Sequence, residues 1–144
     1  AVAAWFIAAR RDVALQGEVE RLLVERPGHV APACLCLAHL GGASALAALS
    51  GYASACTDGA LRSPPCDESR TPEWAVCAWA HLAGEAPQAR WAAFVEAEMG
   101  GLAAAGWLQG RPDFARRLRA GWDARFAAAR AALPAMLAFV DAAG

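Results

Sequence analysis

Forty of the 144 residues are alanine, while the chain holds one Ile, eight Val and two Thr. Strands draw on β-branched and aromatic side chains, whereas Ala is the strongest helix former. No run of alternating β-branched residues occurs anywhere, so a sheet is not expected. Only 38 side chains are Val, Ile, Leu, Met, Phe, Trp or Tyr. A core built from so few bulky groups must come from closely approaching helices and a few large aromatics, chiefly six Trp and five Phe. The expected fold class is all-α: an Ala-rich compact helical bundle of five to seven helices. The length fits one domain over residues 1–144, enough to bury a core without a metal or disulfide staple.

Periodicity and stop signals divide the chain. Residues 1–26 read as one helix with Val2, Trp5, Phe6 and Ala9 on an apolar face, Gly17 being the place where it would split. Pro27-Gly28 stops it. Pro32 opens a short helix to Leu40, Gly41-Gly42 breaks it, and a small-residue helix follows from Ser44 to about Ala55. A central loop covers about 57–71. Thr71-Pro72-Glu73 is a strong start: a hydroxyl at the N-cap, Pro at the first helical position and an acid facing the dipole. That helix should end at Gly84 and place Trp74, Cys77, Ala78, His81 and Leu82 together. Another runs from Pro87 to a stop at Gly100-Gly101, with a short helical piece over 102–108. The longest starts at Pro112-Asp113, with Phe114, Leu118, Trp122, Phe126, Ala129 and Leu133 in one stripe. Pro134 should kink or end it, leaving Met136, Leu137, Phe139 and Val140 as a last packed turn. Core packing is the reading for Trp74, Trp91 and Trp122.

Composition narrows function by exclusion. Apolar content is too high and net charge, −1, too small for a disordered chain or for a protein whose main task is coating nucleic acid. Absence of Lys and Asn beside so much Ala and Arg reads as coding bias of a bacterial-like, GC-rich genome. The longest uncharged stretch, Pro27 to Thr57, is long enough to span a bilayer. Its two prolines, His39, paired glycines and many small residues make it a poor insertion segment. Ala1 to Ala9 is apolar, but no charged region precedes it, so no signal peptide is read there. Five Cys is an odd number, which points to a reduced, cytoplasmic chain rather than a secreted disulfide framework. In an oxidising compartment Cys56 and Cys66 would be the pair to bridge. Cys34, Cys36 and Cys77 sit in apolar runs, where free Cys acts as a small hydrophobe.

Catalytic signatures are missing. No G-x-G-x-x-G follows a strand, a P-loop needs the lysine this chain lacks, and no G-x-S-x-G elbow is present. The paired acids Asp67-Glu68 and Glu96/Glu98 read as solvated surface groups. Two chemical leads remain. Cys36 with His39, and Cys77 with His81, stand three and four residues apart, so each pair shares a helix face. Two such helices could offer a tetrahedral zinc two thiolates and two imidazoles, although the spacing matches no zinc-finger pattern. The second lead is charge segregation. Residues 1–57 carry four Arg and four acids, 58–98 three Arg and seven acids, and 99–144 six Arg and three acids. The last helix is therefore basic, with Arg116, Arg119 and Arg130 on one side beside Asp123: a solvated face, or one turned to the acidic middle segment or to a partner with an acidic surface. No helix-turn-helix or aromatic interleaving supports nucleic-acid reading. Arg125 falls inside the apolar stripe and calls for a carboxylate, with Glu85, Glu96 or Glu98 as candidates and an anion-binding role as the second reading.

The expectation from sequence is a non-enzymatic helical protein–protein interaction module: an adaptor, chaperone or immunity-like partner, without a cofactor. Ala-rich faces permit a homodimer without requiring one. The alternative is a zinc-type or small-ligand-binding helical protein centred on Cys36, His39, Cys77 and His81.

Overall fold

The computed structural model describes residues 2–57 and 71–143. The described residues form seven α-helices and no strand, which is the all-α bundle expected. They are α1 (Val2–Ala9), α2 (Gln16–Glu25), α3 (Val30–Leu40), α4 (Gly42–Thr57), α5 (Pro72–Ala83), α6 (Pro87–Ala104) and α7 (Pro112–Ala143). Short 3₁₀ turns at Val13–Leu15 and Pro27–His29 lead into α2 and α3. The expected central loop and Cys66 lie largely outside the described residues.

α5 is the axis of the bundle, packed against α3, α4, α6 and α7. Its residues make that possible: Ala75, Ala78 and Ala80 are buried with Val76 and Cys77, and such small side chains let neighbouring helices come close. It opens with Pro72, whose missing N–H would have no helical partner there. It closes on Gly84 at φ 68, with Glu85 N–H donating to the Ala80 carbonyl at 3.0 Å, the left-handed cap that glycine permits. α3 supplies the other half of the core through Leu35 and Leu37, and α4 adds Leu49. α6 and α7 are joined by aromatic stacking. Trp91 lies parallel to Phe126 at 4.7 Å and near-parallel to Phe94 at 5.2 Å, and its indole N–H donates to Asp123 at 2.9 Å.

Several expected boundaries move. The first helix breaks at 10–12, not at Gly17, which sits inside α2. Arg11 takes φ 51, and the N–H groups of Arg11 and Asp12 bond the carbonyls of Ala8 and Ile7. Arg11 thus occupies the left-handed capping position where glycine is usual. Within α1 the buried residues are Ala4 and Ala8, while Phe6 points outward. α3 begins at Val30, two residues before Pro32. Thr71 stands at the N-cap, but its hydroxyl makes no capping bond. Glu73 does not face solvent: it is buried. Gly100-Gly101 is carried inside α6, because Met99 and Leu102 on either side pack onto the core. Pro134 likewise lies within α7, anchored by buried Leu133 and Leu137.

Candidate functional site

The four sequence-designated ligands are placed on α3 and α5 but do not converge. Cys36 and Cys77 are buried, His81 is exposed, and His39 is turned towards the far end of α7. Among the described residues no three His, Cys, Asp or Glu side chains are grouped so as to hold a metal ion. Cys34, Cys36, Cys56 and Cys77 are free thiols. Burial pushes the Cys36 thiol up to about 12. Burial, with the Glu73 carboxylate adding to it and Arg130 opposing, holds Cys77 at about 11. Cys34 is raised still more strongly by burial and by its neighbours Glu73, Cys56 and Cys77. Protonated, enclosed thiols behave as packing groups rather than as ligands or nucleophiles.

Arg125 finds a carboxylate that sequence reasoning did not name. Its Nε lies 3.7 Å from Oε1 of Glu73, reaching from α7 to the first turn of α5. Burial raises the Glu73 carboxyl above its ordinary range, while a backbone N–H and the Arg125 guanidinium pull it back. The other designated arginines are engaged within the chain. Arg116 pairs with Asp113, Arg119 meets Glu96 at 2.5 Å, and Arg130 lies against the Gln88 carboxamide. Asp123, expected beside them, accepts from Trp91.

Two other features stand out. The first is a groove of about 1180 Å³ where the C-terminal ends of α1, α3 and α7 meet, lined by Phe6, Ala9, Arg10, Arg11, Asp12, Val13, His39, Val140, Asp141 and Ala143. In its lining one carboxylate oxygen of Asp141 faces both Arg11 Nη2 at 3.2 Å and His39 Nδ1 at 3.5 Å. Arg11 stands just beyond the C-terminus of α1, where a helix end favours positive charge. Two large apolar side chains stand exposed on the rim among its charged residues: Phe6 at 65% and Val13 at 64%. Phe139, 67% exposed, stands nearby with the ring of Trp5 against it edge-on at 6.1 Å.

The second feature is the outward side of α7. Opposite its buried face (Trp122, Phe126, Ala129, Leu133, Leu137, Val140), exposed Ala124, Ala128, Ala131, Ala135, Ala138 and Ala142 follow one another at spacings of three and four residues. These positions share one side of a helix. No charge interrupts that line from Gly121 to Ala142. Of its most apolar 18 residues only 28% are buried. Among the described helices α7 alone is long and apolar enough to cross a membrane on those two criteria.

Sequence reasoning missed this region because it assigned Phe6 and Phe139 to packed faces. Phe139 follows Leu137 by two positions and precedes Val140 by one, so a strict count along the buried register would have put it outside. Asp141 and Arg11 gave no such signal.

Comparison with known protein families, with curated proteins and with solved structures returned no match. The fold and the surface define the class: an all-α bundle with an uncovered apolar helix side and an aromatic-rimmed groove.

Proposed function

We propose that the chain is a non-enzymatic helical interaction module that docks another protein through the outward side of α7 and the aromatic rim at its end. The observation that carries this reading is the exposure of Phe6, Val13 and Phe139 beside an α7 side without charge. Monomeric proteins seldom leave large contiguous apolar patches uncovered. Covering one exposed Phe is worth about 1.5–3 kcal/mol, so a contact over this region supplies the anchor residues an interface needs. The arginines of α7 steer rather than anchor, since Arg116 and Arg119 already face acids of their own chain. The described thiols Cys36 and Cys77, buried and held protonated, serve as packing groups, which speaks for a structural rather than a catalytic use of them.

The test is site-specific photo-crosslinking in source cells, with the reactive group placed at 131 or 139 on α7 and, as a control, at 21 on the exposed side of α2. A discrete adduct from α7 only, lost with Phe6→Glu, is the expected result. Equal labelling from both helices, or none from either, would overturn it.

A further inference from the structure

Resting on that reading, we infer that the partner is a second copy of this chain, packed about a two-fold axis at the groove end of α1 and α7. Charge at the rim distinguishes this partner from others. Arg10 and Asp12 flank the left-handed Arg11, and neither makes a side-chain ion pair among the described residues. Arg11 is already paired with Asp141 of its own chain. Among the described residues the rim therefore offers one cation and one anion without an ion pair, two residues apart, in the same groove lining as Phe6 and Val13. An acidic partner would leave Asp12 opposed by like charge, and a basic one would do the same to Arg10. A second copy turned by 180° satisfies both at once: Arg10 of each protomer meets Asp12 of its partner. That reciprocal pattern is what a two-fold interface demands, since one patch must complement itself. The aromatic contacts follow the same symmetry, Phe6 and Phe139 of the two protomers closing over one another. With a net charge of −1 per chain, long-range repulsion between copies is small.

The proposal is tested on the full chain by sedimentation velocity across a concentration series, with far-ultraviolet circular dichroism confirming that each variant is folded. The variants are Arg10→Asp, Asp12→Arg, an equimolar mixture of the two, and Phe139→Arg. Asp12 makes no side-chain capping bond and Arg10 is exposed, so neither reversal removes a capping bond or an ion pair among the described residues. The wild-type chain is expected to dimerise. Each single reversal should weaken the dimer by about tenfold or more, since like charges then face each other twice. The mixture should restore wild-type affinity, because one chain then offers two acids and the other two arginines. Phe139→Arg should abolish association.

A dimer indifferent to both reversals would overturn the inference. So would a monomer at every concentration. If that monomer still gives a discrete adduct to a different protein from position 139, docking through α7 stands and self-association falls. If it gives none, both fall. Flotation of the chain with vesicles of phosphatidylcholine and phosphatidylglycerol, in place of either protein contact, would make the surface a membrane-facing one and overturn both readings.

Discussion

Replacing Arg125 by Met isolates the contribution of the α5–α7 ion pair. Its Nε stands 3.7 Å from the Glu73 carboxylate, and the two side chains are 37% and 3% exposed. At that separation and an effective dielectric of ~20 the attraction is about 4 kcal/mol. With one partner more than a third exposed, water screens much of it, and a net loss of about 1–2 kcal/mol is expected near pH 7. For a chain of this length that corresponds to a drop in Tm of roughly 3–6 °C. The loss must depend on pH in one direction. Because burial raises Glu73 above its ordinary value, the folded protein holds that proton more tightly than the unfolded chain. The stability due to this group is therefore full below the ordinary carboxylate pKa and is lost as pH rises through the raised value. Removing Arg125 takes away a cation that favours the ionised form and raises Glu73 further. Arg125→Met should then differ little from wild type near pH ~4 and fall behind it as pH approaches ~7. Thermal unfolding followed by circular dichroism, on wild type, Arg125→Met, Glu73→Gln and the double variant, measures this at both pH values. A deficit of equal size at both, or a double variant as unstable as Arg125→Met alone, would refute an account based on an unpaired buried carboxylate.

Three further outcomes follow from the packing. Cys34, Cys36, Cys56 and Cys77 should resist a thiol reagent in native buffer and titrate fully in denaturant, since all four are buried; rapid native labelling of any of them would contradict the enclosed core. Pro134→Ala should stabilise the protein by about 1–3 kcal/mol, restoring the N–H that proline lacks inside α7, and a lowered Tm would show that the ring makes a contact worth more than the missing bond. Gly84→Ala should lower stability by about 1 kcal/mol, because φ 68 suits glycine, and no change in urea midpoint would mean the α5 cap relaxes freely.

Local chemistry made part of this structure readable. Pro72, Gly84, Pro87 and Pro112 mark helix ends that the structure keeps, since proline at a first turn and glycine at a left-handed cap act through their own backbone. The buried register Trp122–Phe126–Ala129–Leu133 was visible from periodicity alone. What escaped depends on partners far along the chain. The break at Arg11 is braced by Asp141, 130 residues away. The burial of Glu73 follows from α5 lying among four other helices, which no pattern within α5 declares. His39 and Cys36 share a helix, yet His39 serves the α7 end while Cys36 fills the core. The groove itself is made by three helix ends that meet only in the folded chain.

The central position of α5 also bears on how the protein is made. α1 to α4 precede it in the sequence, and the core residues Leu35, Leu37 and Leu49 lie on elements that pack against α5. A ribosome delivers the chain from its N-terminus, so those leucines emerge while the helix that helps enclose them is still in the exit tunnel. Nascent α3 and α4 must wait, partly uncovered, until residues 72–83 arrive. That interval is the one in which a chaperone would find this protein, and slow synthesis just after α4 would lengthen it.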